Sequence, residues 1–89
     1  MRSRIRTEII SHILDSANGG ATKTKIMYTA VLSYSQLNEY FSMLIENNLI
    51  EYLNGTNKFK TTEKGLFFLK IHNEIGELLQ QTTTENATS

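Results

Sequence analysis

Residues 22–50, TKTKIMYTAVLSYSQLNEYFSMLIENNLI, decide how this chain folds. They read as two helices separated by a tight turn. In the second, Ser33 stands as N-cap and Gln36 completes a Ser-x-x-Gln capping box, in which each side chain accepts a bond from the other residue's backbone N–H. The helix is therefore expected over residues 34–47. At about 100° per residue, Tyr34, Leu37, Phe41, Leu44 and Ile45 form one apolar face, flanked by Tyr40 and Met43. Ser35, Asn38, Glu39, Ser42 and Glu46 collect on the other side. Such a helix suits a DNA major groove, where Ser35, Asn38, Glu39 and Ser42 could meet base edges. An ordinary solvated face accounts for the same pattern, because every amphipathic helix has a polar side.

Towards the N-terminus, Thr22 can cap a short helix to about Thr29, with Ile26 and Met27 pointing inward and Lys23 and Lys25 near its start. In a helix-turn-helix the first helix of the pair crosses the phosphate backbone, so both lysines are phosphate candidates. Solvated lysines fit equally. Tyr28, beside Ile26 and Met27, is expected in the core with its hydroxyl satisfied. A further helix is expected from about Ser3 to Ala17, with Ile5, Ile9, Ile10, Ile13, Leu14 and Ala17 on one half of the wheel, and Asn18-Gly19-Gly20 stops it. Arg2, Arg4 and Arg6 fall where the helix end is itself positive. Arg4 and Arg6 are read as an arm touching phosphate, with a frayed, solvated terminus as the alternative.

After Asn47-Asn48 the period becomes that of extended chain. Residues 49–53 and 57–61 flank Asn54-Gly55-Thr56, a hairpin signal. Tyr52 and Phe59 are expected to face the core, while Lys58 and Lys60 face water and could reach a DNA backbone. The alternative is an edge strand kept soluble by lysine. Thr62 then caps a last helix over residues 62–81, where Gly65 is expected to permit close packing against the hairpin. Residues 82–89 should be a disordered tail. The order helix, helix, helix, hairpin, helix predicts a mainly α fold with a small β-hairpin: a winged helix-turn-helix with an extra C-terminal helix, one domain over residues 3–81. Phe68, Ile71, Ile75 and Leu78 follow the three-four spacing of a coiled-coil seam. With Leu79 they are the candidate homodimer interface, because a monomer would leave the later part of this stripe in water; the alternative is that the stripe folds back on the first helix of its own chain.

Composition narrows the rest. Eighty-nine residues, 39% of them hydrophobic, supply one modest core. The absence of cysteine excludes disulfides and thiolate chemistry. Nine basic and nine acidic residues cancel, yet residues 1–62 hold seven basic against five acidic, so the DNA-facing part is the positive part. His12 and His72 are isolated, without an HExxH-type pair or a glycine-rich phosphate loop, so neither an enzyme nor a cofactor or metal is expected. No stretch has the apolar length of a signal core or a membrane span, which predicts a cytoplasmic protein with no membrane partner.

The run Thr24-Lys25-Ile26-Met27-Tyr28, followed by Leu32-Ser33-Tyr34, Tyr40, Leu44, Leu49-Ile50 and Thr62-Glu63-Lys64-Gly65, resembles the small archaeal winged-helix DNA-binding proteins. The likeness is to the ten-kilodalton Sulfolobus type and to related archaeal predicted transcriptional regulators, and covers about Thr7 to Leu79. It implies a winged-helix domain, a homodimer formed through the C-terminal helix, and double-stranded DNA binding without catalysis. The resulting expectation is a dimeric, nucleoid-associated regulator of transcription, with helix 34–47 in the major groove and wing 50–61 on the backbone. The competing expectation is a winged-helix adaptor for protein partners with little DNA affinity, since Glu39 and Glu46 would suit a basic protein.

Overall fold

The computed structural model describes the backbone of residues 5–88 and the side chains of residues 5–79. Among these residues the order is α1 (Arg6–Ser16), β1 (Ala21–Thr22), α2 (Lys23–Ala30), α3 (Tyr34–Glu46), β2 (Ile50–Leu53), β3 (Lys58–Thr61) and α4 (Glu63–Thr88). This is the expected winged helix-turn-helix with an added C-terminal helix, mainly α.

α1 starts at Arg6 rather than near Ser3, because Ile5 has extended backbone (φ −76, ψ 155) and offers no capping side chain. Its inward face is the predicted one apart from Ile5, which precedes the helix and is 62% exposed, with Ile13, Leu14 and Ala17 fully buried. Gly19, at φ +86, provides the left-handed turn that ends it. In α2, Thr22 caps as expected, its hydroxyl accepting the Lys25 N–H at 3.1 Å. Only Ile26 and Ala30 are buried along this short helix. Tyr28 is not in the core: it is 75% exposed, because it lies about 200° around the helix from Ile26. α2 ends at Val31 in the left-handed conformation (φ 58), strained for a β-branched residue. The Leu32 N–H reaches back to the Met27 carbonyl at 3.1 Å and closes the turn.

α3 opens with the complete capping box: Gln36 N–H donates to Ser33 Oγ at 3.2 Å, and Ser33 N–H donates to Gln36 Oε1 at 3.0 Å. Its buried stripe is Leu37, Tyr40, Phe41 and Leu44. Tyr34 and Ile45, expected in that stripe, are 64% and 45% exposed. The apolar arc on the wheel is wider than the surface the domain offers to cover it. Packing settles on the side of Tyr40, and the opposite margin stays in solvent.

The sheet has the order β1-β3-β2, entirely antiparallel. β1 was not foreseen, since two residues cannot display an alternation. It makes β3 the central strand, so Lys58 and Lys60 do not stand on an edge strand and that alternative falls. Tyr52, opposite Phe59 in the register, is 50% exposed rather than in the core. Phe59 takes the inner place, its ring 4.9 Å from Phe41 and 5.2 Å from Tyr52, while the Tyr52 hydroxyl donates to the Thr56 carbonyl in the wing turn. Thr61 is buried and ties β3 to α1, its hydroxyl donating to the Leu14 carbonyl at 2.5 Å and its N–H to the Ala17 carbonyl at 3.2 Å.

α4 is pinned at its start. Thr62 accepts the Gly65 N–H at 3.1 Å and donates to the Asn48 carbonyl at 2.6 Å, and Lys64 Nζ donates to the Asn47 carbonyl at 2.8 Å. The predicted close approach at Gly65 is present, since a Cβ there would lie 2.4 Å from the Leu49 carbonyl oxygen and 2.6 Å from Thr61 Cγ2. The helix continues past Gln81 to Thr88. Residues 82–88, expected in a disordered tail, contain neither proline nor glycine to stop it.

Candidate nucleic-acid interface

The core stripe of α3 fixes which of its groups reach solvent. Ser35, Glu39, Ser42 and Glu46 are exposed and Asn38 is half-buried, so the four base-edge candidates share the outward side. Tyr34 and Ile45 join them at one margin. The sequence signal for this pair was available: both sit about 20–40° from Asn38 on the wheel, at the boundary between the two faces.

The predicted phosphate-contacting cations divide into groups. Lys23 is half-buried at the start of α2, with Nζ 5.6 Å from the Tyr34 ring centre and 5.3 Å from that of Phe41. Attraction to two ring faces holds this ammonium beside the first turn of α3. Lys58 is exposed and pairs in register with Thr22, the residue before Lys23. The unforeseen strand β1 therefore draws a wing lysine to the start of α2, where exposed Lys25 also lies. Lys60 is exposed but faces Glu51 across the β2–β3 ladder, so its field is partly opposed. Arg6 leans on the other flank of α3, its guanidinium carbon 5.3 Å from the Tyr40 ring centre. Arg4 lies outside the described residues.

Among the described residues the side-chain ion pair joins Lys70 to Glu74 at 3.1 Å, on α4. No carboxylate among the described residues pairs with Lys23, Lys25, Lys58 or Lys60. The Phe41–Phe59 contact packs the wing against α3.

The candidate dimer residues occupy a second surface. Phe68 is half-buried and stacks on His72 with ring centres 6.1 Å apart. Ile71, Ile75, Leu78 and Leu79 are 38%, 53%, 64% and 64% exposed. Between α1 and α4 lies a mainly apolar groove of about 340 Å³, lined by Ile5, Phe68, Ile71, Ile75 and Leu79 among others. Among the described residues no helix is long and apolar enough to cross a membrane.

A family model described as winged helix-turn-helix matches residues 2–80. Among solved structures, the crystal structure of Sso10a-2, a DNA-binding protein from Sulfolobus solfataricus, has the same fold. The TM-score is 0.79 over 96% of this chain and 92% of that one, at 21% sequence identity. No curated protein matches the chain.

Proposed function

Because the chain belongs to the winged helix-turn-helix family, we propose that it binds double-stranded DNA as a homodimer and regulates transcription, with α3 in the major groove and the wing on the backbone. The observation that carries this reading is Lys23 held beside the first turn of α3, with Lys58 drawn to the start of α2 by the β1–β3 register and neither paired with a carboxylate among the described residues. Phosphate contacts position a protein on duplex, and groups on the inserted helix read bases. Lys23, Lys25, Lys58 and Lys60, with Arg4 and Arg6, supply the first kind; Ser35, Asn38, Glu39 and Ser42 supply the second. Sso10a-2, similar in fold, is itself titled a DNA-binding protein. The dimer rests on Phe68, Ile71, Ile75, Leu78 and Leu79, because Ile71 and Ile75 keep 38% and 53% of their surface in water. A two-fold dimer would bring its α3 helices to major-groove faces about 34 Å apart, on a pseudo-palindromic site. Such a protein works where the nucleoid is, in the cytoplasm.

A second reading, an adaptor for a basic protein partner, is favoured by exposed Glu39 and Glu46 on the same face of α3. Salt titration separates the two. A dimer using three or four cations per protomer neutralises about six to eight phosphates, so a log-log plot of affinity against salt should have a slope of about −5 to −7. Replacing Lys58 and Lys60 together by alanine should flatten it by about two to four units. Most of that change should come from Lys58, since Lys60 is opposed by Glu51. No binding at low salt, or a slope near zero, refutes the DNA reading and leaves the adaptor.

A further inference from the structure

Apart from Ile5 and Tyr52, the exposed large apolar side chains fall into two sets, one along α4 and the other around the helix-turn-helix itself. In the second set, Tyr34 and Ile45 are 64% and 45% exposed on α3, the helix that also bears Asn38. On an ideal helix Tyr34, Ile45 and Asn38 fall within about 40° of one another. Along the axis Asn38 lies about 6 Å, and Ile45 about 16 Å, from Tyr34. One margin of the outward face of α3 therefore carries a row of aromatic ring, carboxamide and branched alkyl, spanning about five base steps at ~3.4 Å each. Lys23 sits 5.6 Å from the ring centre of Tyr34, which holds the ring at that margin.

In the major groove one group is apolar, the thymine C5-methyl, and a carboxamide bonds adenine bidentately through N6 and N7. Both preferences select the same base pair. Resting on the DNA reading above, we infer that α3 reads A·T pairs, with Tyr34 and Ile45 seated on thymine methyls on either side of an adenine held by Asn38. Tyr34 and Ile45 are then specificity residues that a search for polar groups passes over. Their exposure has a use that neither the core nor the α4 surface supplies.

The test replaces thymine by deoxyuridine, which removes the methyl and leaves every hydrogen-bonding group. A duplex is selected from a random pool with the full chain, and its thymines are then replaced one at a time. Removing a buried methyl should weaken binding about fourfold at one or two thymines per half-site. Ile45→Ser should abolish the loss at one such thymine and Tyr34→Ser at another, while Tyr34→Phe retains it. A selected site lacking thymine at these positions overturns the inference. So do deoxyuridine replacements that change nothing, or losses that persist in both serine variants. In each of those cases duplex binding itself stands. Absence of any duplex binding at low salt removes the DNA reading and the inference together.

Discussion

α3 and α4 obey the same sequence rule and end in different places. Both are amphipathic, yet in α3 Leu37 and Leu44 are fully buried and Phe41 is 3% exposed, whereas Ile75 on α4 is 53% exposed. The contrast lies in what each helix faces. α3 is enclosed by the core elements and clamped to the wing through Phe41 and Phe59. α4 is pinned at its start, by Thr62 and Lys64 to the carbonyls that end α3, then packs along α1, and it adds to the core the partly buried pair Phe68 and Leu69. Apolar periodicity reveals which face requires cover. It is silent on what provides it.

The largest expected effect breaks this contrast if it fails. Leu44→Ala removes a fully buried side chain and should cost about 2–5 kcal/mol in urea unfolding. Ile75→Ala should change stability by less than about 0.5 kcal/mol in dilute solution. If the proposed dimer forms, the Ile75→Ala loss should instead grow with protein concentration, because association stabilises only the folded chains that pair. Equal losses for the two variants in dilute solution would mean that α4 is as well covered within one chain as α3.

The same contrast explains what the sequence disclosed. Features set within three or four residues were legible: the Ser33–Gln36 box, the Thr22 and Thr62 caps, the stop at Gly19 and the turn after Asn54. Features set by partners far along the chain were not. β1 exists because Ala21 and Thr22 meet Phe59 and Lys58, and nothing near residue 21 announces that pairing. The gathering of Lys58 beside Lys23 follows from the same register and was equally hidden. The misjudged burials of Ile5, Tyr28, Tyr34, Ile45 and Tyr52 share one cause: each is apolar enough to pass for core, and each lies outside the surface that packing covers. Tyrosine is especially deceptive, since its ring and hydroxyl fit a boundary as well as an interior. For the candidate interface, the polar face of α3 and the list of cations were readable, but their grouping was not.

A smaller effect sharpens the contrast within α4 itself. Gly65→Ala would set a Cβ 2.4 Å from the Leu49 carbonyl oxygen, an atom already accepting the Thr62 N–H at 3.1 Å. A backbone carbonyl so held cannot step aside without loosening the junction of α3 and α4. The variant should lose about 1–3 kcal/mol in denaturant unfolding. A neutral result would show that this junction yields, and that the start of α4 is no more fixed than its later turns.

The smallest effect is the most discriminating, because its sign changes with the company α4 keeps. Gly76 lies on the wall of the apolar groove between α1 and α4, and a Cβ built on it meets nothing within 4 Å. Within one chain, Gly76→Ala restricts the unfolded backbone and obstructs nothing, so it should stabilise by about 0.4–1 kcal/mol. A second helix seated closely in that groove would alter the outcome, since the added methyl would then stand where its side chains pack. Thermal unfolding of wild type and Gly76→Ala at low and high protein concentration reads both cases. A gain at both concentrations means that whatever covers Ile75 leaves room beside Gly76. A gain at low concentration that turns to a loss at high concentration puts the helix of a second copy in the groove, with Gly76 as the point of closest approach. A loss at both would contradict the open space beside Gly76.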